Sequence, residues 1–379
     1  MKALFISSDQ SIFNAESDTR ARMREYANLV GELHILSRAP KNTELVDGPL
    51  HLHGMRVSKV RMPFVLARRA NGIVKDCVID VVSAQDPFEH GWAALRAVRG
   101  TKAKLHIQVH TDFLTPWFTK AGALRSARVR MPLLNKVRCR IADKVLPEAD
   151  GIRVVSKRVK ESLMARYGAR IPEPSVLPIF VSDEVPPKSE LPARPFIFTL
   201  IAVSRLEAEK RVVDIIDALG RIALRYPSVG LCIVGDGRER ARLERRVRKL
   251  GLSNKVLFLG SRPHQEAWGL MQSAQAFIQA SAYEGYGRTL VEAALARVPV
   301  ITTDVGIVGE VFAGYDDVLA APPADPAALA THIMGIIEDQ AARRMLILGA
   351  EEAARKHLEA FKDYPKPIIE DLIRAASAR

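Results

Sequence analysis

The chain has 379 residues, 48% of them hydrophobic, and its 56 lysines and arginines against 43 acidic residues give a formal charge of +13. A single core stops growing at roughly 250 residues, so two domains are expected, and the basic balance favours anionic partners without choosing among nucleic acid, anionic lipid and phosphorylated substrates. Cys77, Cys139 and Cys232 are too few and too far apart for a disulfide framework or a zinc cluster, the apolar run after Met1 is too short for a signal peptide, and no stretch approaches the roughly 18 apolar residues of a membrane span.

Short β-branched runs alternate with helical periodicity, the pattern of strands feeding crossover helices onto a parallel sheet, so the fold class is α/β. In the first half the pattern predicts strands near Lys2–Ser7, Leu33–Leu36, Ile79–Ser83, Leu105–Val109 and Ile152–Val155. Helices are predicted over Thr19–Val30, Glu89–Val98 and Lys157–Tyr167. The prolines from Pro178 to Pro195 resist regular structure and read as a linker. The alternation then restarts. Strands at Phe196–Val203, Leu231–Val234, Val256–Leu259, Ala276–Gln279 and Val300–Thr302 alternate with helices at Arg211–Arg225, Arg238–Leu250, Gln265–Gln272 and Arg288–Ala296. A last helix, Ile368–Ala376, follows Pro365 and Pro367. The expected domains are residues 1–178 and 196–364, joined by 179–195, with 365–379 returning to the first.

In open α/β sheets ligands bind beyond the carboxyl ends of the strands, which directs attention to the residues after each run. Glu284 and Glu292 stand eight residues apart around Gly285-Tyr286-Gly287, where a helix opens. Gly285 and Gly287 let the backbone approach a ligand, and the N–H groups of Arg288, Thr289 and Leu290 would point at an anion such as a diphosphate. Glu284 could accept hydrogen bonds from sugar hydroxyls and Glu292 from a ribose diol; a solvated acidic pair is the other reading. Arg205 and Lys210 follow the Phe196–Val203 strand and could neutralise a leaving diphosphate, or be surface charge. Gly235-Asp236-Gly237 reads as a tight structural turn, Arg262 falls where a base might lie, and Gly306 and Gly309 could bring backbone near a sugar or shape a plain loop. In the first half His110 and Asp112 end the Leu105–Val109 strand, where the imidazole could steady sugar hydroxyls or phosphate or simply pack; Gln85 and Asp86 follow Ile79–Ser83 and could help form an acceptor pocket or cap the next helix.

The order Ser204-Arg205-Leu206–x3–Lys210, Val234-Gly235-Asp236-Gly237, Phe258-Leu259-Gly260, Glu284–x7–Glu292, Pro299-Val300 resembles the retaining GT-B glycosyltransferases of family 4. The resemblance implies two Rossmann-like, doubly wound domains facing each other across a cleft, the first for the acceptor and the second for a nucleotide-sugar donor. By motif position it assigns Arg205 and Lys210 to the diphosphate, Glu284 and His110 to the transferred sugar, Glu292 to the ribose, and the backbone of Gly287–Leu290 to sugar and distal phosphate. It also implies that the C-terminal helix crosses back to the first domain. Three departures stand out: the first-strand loop Ser7-Ser8-Asp9-Gln10-Ser11 has no glycine, and Ser204 and Arg211 replace the family's usual glycines.

The implied reaction moves a sugar to a glycan or lipid-linked acceptor with retained configuration, in polysaccharide or glycolipid synthesis. No cofactor is expected, and no His/Asp/Cys cluster shows the spacing of metal ligands. Residues 113–142 hold no acid but many cations, among them Arg125, Arg128 and Arg130, interleaved with apolar residues. They read as a basic amphipathic segment suited to an anionic membrane surface, or as a solvated helix pair. The expected location is the cytoplasm, with the inner face of the membrane as a peripheral site. Two other classes stay open: a sugar-nucleotide epimerase of the same fold, and a basic nucleic-acid-binding protein, against which stands the lack of any nucleic-acid module.

Overall fold

The computed structural model describes residues 1–119, 131–192, 196–314 and 316–378. They form two compact units, one from residues 1–119, 131–178 and 363–378, the other from the remainder of 179–362.

The first unit runs β1 (Lys2–Ser7), α1 (Asp18–Val30), β2 (Glu32–Arg38), β3 (Thr43–Asp47), β4 (Leu50–Met55), α2 (Met62–Asp76), β5 (Val81–Ala84), α3 (Glu89–Val98), β6 (Lys104–Val109), α4 (Pro116–Thr119), α5 (Met131–Val145), β7 (Gly151–Val154), α6 (Lys157–Tyr167) and β8 (Ser175–Val176). The sheet order is β3-β4-β2-β1-β5-β6-β7-β8, parallel throughout except for β3. β1 and β2 are buried almost throughout because both faces of a parallel sheet are covered. Helix α1 starts where the Ser17 side chain accepts from Arg20 N–H, and stops at Gly31, whose φ of 107° suits glycine. Residues 43–76 carry none of the elements predicted above, yet form the β3–β4 hairpin and α2. The outward side chains of β3 blur its alternation, and α2 buries only one stripe, Leu66, Ala67, Ala70, Ile73 and Val74. Strand β5 starts two residues later than Ile79, since Ile79 N–H still bonds the Val74 carbonyl and Val78 turns with φ 54°.

The second unit runs β9 (Phe198–Val203), α7 (Val212–Ile222), β10 (Val229–Val234), α8 (Arg240–Lys249), β11 (Val256–Gly260), α9 (His264–Met271), β12 (Ala276–Ile278), α10 (Arg288–Leu295), β13 (Val300–Thr303), β14 (Leu319–Ala321), α11 (Pro326–Glu338) and α12 (Gln340–Glu359). Its order, β11-β10-β9-β12-β13-β14, is that of a doubly wound nucleotide-binding sheet, with the reversal between β9 and β12. Residue Arg211 sits before α7 in the left-handed region, its guanidinium paired with Asp214. Helices α11 and α12 lie beyond the predicted elements; each begins at an aspartate, Asp325 or Asp339, that accepts two backbone N–H groups. The proline-rich stretch has no regular structure but is no free spacer. Pro186 and Ser189 carbonyls accept from Gln272 and Ser273, at 2.7 Å each, so this stretch docks on the end of α9.

The last helix, α13 (Lys366–Ala376), packs on the first unit. Ile368, Ile369, Leu372 and Ala375 enter the core that holds Phe5, Tyr26 and Leu33. Gly151 lets it approach: a Cβ there would lie 2.7 Å from the Ala375 Cβ.

Candidate functional site

The carboxyl ends of β9, β12 and β13 build a polar cluster in the second unit. After β9, Ser204–Leu206 lies under the β10 turn so closely that a Cβ on Gly235 would meet the Ser204 carbonyl at 1.9 Å, and one on Gly237 the Leu206 carbonyl at 2.4 Å. Both glycines are therefore structural, as their turn predicted. A short 3-10 turn, Ala208–Lys210, follows and is tied to the β12 loop by Ala282 N–H donating to the Glu209 carbonyl at 2.8 Å. That bond brings Lys210 onto Glu284. Their side chains form an ion pair, 16% and 14% exposed, and Ser281 Oγ donates to the same Glu284 oxygen at 2.7 Å.

Gly287, in the left-handed region with φ 97°, precedes α10. Tyr286 between the glycines is buried, its hydroxyl 2.8 Å from His357 Nε2. The loop after β13 closes on this turn: Ile307 N–H donates to the Tyr286 carbonyl at 2.9 Å, and a Cβ on Gly306 would fall 2.2 Å from that oxygen. One sequence expectation changes here. Leu290 N–H donates to the Gly287 carbonyl at 2.9 Å, because the helix closes its first turn tightly, so it does not point at a ligand. Thr289 Oγ1 donates to Gln279 Oε1 at 2.8 Å.

Glu292, one turn into α10, is 3% exposed at its side chain. Its carboxylate lies 2.6 Å from Arg288 Nε and 2.8 Å from His264 Nε2, and its backbone carbonyl accepts from Trp268 Nε1 at 2.7 Å. Sequence reading missed His264; its place at the start of α9, just beyond β11, was the available signal. Arg205 and Arg262 are the outlying cations. Arg205 is 73% exposed and makes a 3.4 Å contact to Glu209, while Arg262 bonds the Leu259 carbonyl and Glu266. Lys210 and Arg288, each paired with a carboxylate beside the N-terminus of α10, can turn to a diphosphate while Glu284 and Glu292 turn to hydroxyl groups.

In the first unit His110 Nε2 lies 3.0 Å from Gln108 Oε1, which also accepts from Arg153 Nη1 at 3.0 Å. Burial and the Arg153 charge push the His110 pKa down to about 3, so the ring is neutral. Gln85 Oε1 accepts from Ser7 Oγ and Ser8 N–H, at 2.9 and 3.3 Å, and so shapes the glycine-free first loop. The Asp86 carboxylate caps α3 through Phe88 and His90 N–H and pairs with His90 Nδ1; burial opposes its ionisation, but these partners hold its pKa below the usual value. Of its two sequence readings, capping is the role its contacts serve. Asp112 is buried, which raises its pKa. Arg125, Arg128 and Arg130 lie outside the described residues. Among those described, no helix is long and apolar enough to cross a membrane. Glu32, His34 and His51 converge across two strands, a juxtaposition that linear spacing does not reveal.

Comparison with known proteins agrees with this architecture. Residues 183–353 match the family model for glycosyl transferases group 1, and residues 23–185 match that for Glycosyltransferase Family 4. Glycogen synthase of Mycobacterium tuberculosis is 29% identical over 217 residues, 57% of this chain and 51% of the relative. The phosphatidylinositol N-acetylglucosaminyltransferase gpi3 subunit of Schizosaccharomyces pombe is 29% identical over 51% of this chain and 42% of its own length. The chain thus spans about half the length of these curated relatives. Among solved structures, sucrose-phosphate synthase from Thermosynechococcus elongatus superposes with a TM-score of 0.79 at 18% identity, over 99% of this chain and 100% of that one. HepE of Anabaena, solved with UDP and glucose, gives 0.69 at 19% identity over 96% and 100%. With two parallel-sheet units of this topology and both family models matched in order, the chain belongs to the GT-B glycosyltransferases, its second unit being a glycosyl transferases group 1 domain.

Proposed function

We propose that the protein transfers a sugar from a nucleoside diphosphate to a glycan or lipid-linked acceptor with retention of configuration, in polysaccharide or glycolipid synthesis. The observation that carries this reading is the Lys210–Glu284 ion pair held at the start of α10, with Glu292 fixed one turn on. Lys210, Arg205 and the first N–H groups of α10 stabilise the departing diphosphate without a metal ion, Glu284 holds the sugar, and Glu292 the ribose. In the first unit the neutral His110 ring contacts the transferred sugar. The leaving phosphate takes the acceptor proton. Relatives that include a glycogen synthase and a lipopolysaccharide 1,6-galactosyltransferase support the acceptor class. UDP and glucose bound to HepE support a nucleotide-sugar donor.

A thermal-shift screen across UDP-, GDP-, ADP- and TDP-sugars tests donor binding, because a ligand of the folded state alone raises the apparent stability. Transfer to glycan and lipid-linked acceptors, with the anomeric configuration of the product read by NMR, tests the reaction. An inverted product, or epimerised donor formed without any acceptor, would overturn it. The basic segment 113–142 is read as the contact with an anionic membrane surface; co-sedimentation with anionic liposomes that is indifferent to neutralising Arg125, Arg128 and Arg130 would reject that part alone.

A further inference from the structure

Six ionisable side chains share one face of the first unit's sheet. Glu32 and His34 stand two residues apart on β2, and His34 pairs in register with His51 on β4. Their three ligand atoms lie within 4.8 Å of one another. His34 is 3% exposed, its Nε2 is 2.8 Å from Glu32 Oε1, and the His51 ring stacks on it with centroids 4.5 Å apart. On the far side His34 Nδ1 meets His53 Nε2 at 3.0 Å, and His53 Nδ1 bonds Glu44, which also accepts from Arg69 at 2.7 Å. Lys2 Nζ takes the other Glu32 oxygen at 2.9 Å, so Oε1 remains turned to His34.

Counting protons along this row gives an imbalance. The contacts Glu32–His34, His34–His53 and His53–Glu44 number three, but two neutral imidazoles bring only two N–H groups. If His53 Nδ1–H donates to Glu44, then His34 Nδ1–H donates to His53 Nε2. His34 Nε2 then aims a lone pair at a carboxylate oxygen 2.8 Å away. Two lone pairs in that position repel, and a cation relieves them; in the opposite proton order the mismatch falls instead on the contact of His53 Nδ1 with the exposed Glu44, where Arg69 Nη2 stands 3.5 Å from the ring.

We propose that Glu32 Oε1, His34 Nε2 and His51 bind one divalent cation of the borderline class, represented by Zn²⁺, the half-exposed His51 ring turning out of its near-parallel stack on His34 to aim a ring nitrogen at the ion. Two imidazoles and a carboxylate are a donor set that Zn²⁺ accepts, at about 2.0–2.2 Å, with water completing four-coordination. His53 and Glu44 are the outer groups that fix the ligating tautomer of His34. Glu32 and His34 begin β2 and His51 lies near the start of β4, so the cluster is at the amino ends of the strands, opposite the edge where His110 and Gln85 end theirs. The ion is therefore a clip on β4 and its hairpin rather than a participant in sugar transfer, and this inference stands apart from the proposed function.

The test uses the full-length, tag-free chain, dialysed against chelator and titrated with zinc chloride by calorimetry, with Tm measured in parallel. One ion per chain is expected, with Tm raised by about 5 °C once Zn²⁺ stands roughly a hundredfold above its Kd. His51→Ala and Glu32→Gln should each weaken binding at least about tenfold, and His53→Ala about 10–100-fold through the outer contact. Because His51 is half-exposed, its replacement keeps the fold, as far-UV circular dichroism would verify; Cys77→Ser, removing a nearby thiol, should leave the affinity unchanged. Absence of a 1:1 heat, or affinity unaltered in His51→Ala, overturns the proposal. So does a doubly protonated His34 in ¹⁵N spectra that persists under excess Zn²⁺, since a proton would then be the missing cation.

Discussion

His106 Nε2 lies 3.0 Å from Asp371 Oδ2, joining β6 to α13 across 265 residues of chain. Both groups are buried, and the contact starts an unbroken chain of donors. His106 Nε2–H donates to Asp371, leaving Nδ1 to accept from Ser83 Oγ at 2.8 Å. Ser83 accepts in turn from Gln108 Nε2 at 2.9 Å. Gln108 then presents only its carbonyl oxygen, which fixes His110 as the Nε2–H tautomer with Nδ1 left as an acceptor. The C-terminal helix thus reaches, through four side chains, a ring at the carboxyl end of β6.

Asp371 also accepts from Ser175 Oγ at 2.6 Å and Arg374 at 2.9 Å; burial works against its charge, yet these donors with His106 keep its pKa below the usual carboxylate value. Asp371→Ala leaves the buried His106 N–H unpaired and should destabilise the first unit by about 2–4 kcal/mol. Urea unfolding would measure the loss, and limited proteolysis should then release residues 363–379 faster than in the parent. Unchanged stability would show that the contact carries no weight.

The low pKa of His110 makes stability depend on pH with a definite sign. The unfolded ring takes up its proton near the ordinary 6.5, the folded one only near about 3, so the stabilisation is whole above 6.5 and is lost as pH falls toward 3. Between pH 7 and pH 5 this one residue should cost about 2 kcal/mol. His110→Gln should flatten that part of the profile in denaturant titrations run at both pH values.

Lys210→Ala and Glu284→Gln should each cut transfer at least about a hundredfold, the usual effect of losing one charge-stabilising group. They should part company in stability. Lys210→Ala strands a carboxylate that is 14% exposed, whereas Glu284→Gln keeps a hydrogen-bonding partner for Ser281. Arg205 is 73% exposed, so Arg205→Ala should leave Tm within about 1–2 °C while still lowering kcat. Steady-state kinetics beside thermal melts separates these outcomes.

Gly306 has φ 62° and no room for a side chain, since the Tyr286 carbonyl lies where a Cβ would go. Gly306→Ala should cost about 2–3 kcal/mol through backbone strain and a displaced 283–287 turn. Because that turn carries Glu284, the donor KM should rise as well. A variant with parent-like unfolding and KM would show that the two loops move independently.

Alternation of apolar runs and helical stripes was enough to locate most strands of both sheets and the α/β class, because period and burial are local properties of the chain. The ordered motifs from Arg205 to Glu292 were enough to point to the glycosyltransferase family, since strand-end loops hold their motifs in contiguous segments. What needed the tertiary structure was every relation across strands. Ala282 clasping Glu209 decides that Lys210 meets Glu284; helix α9 delivers His264 to Glu292; and α13 sends Asp371 to His106. The hairpin β3–β4 escaped the sequence because the exposed side chains of β3 give a weak pattern. The Glu32–His34–His51 cluster escaped it for a sharper reason: its third member arrives by β2–β4 register, and register is fixed by the whole sheet rather than by any segment within it.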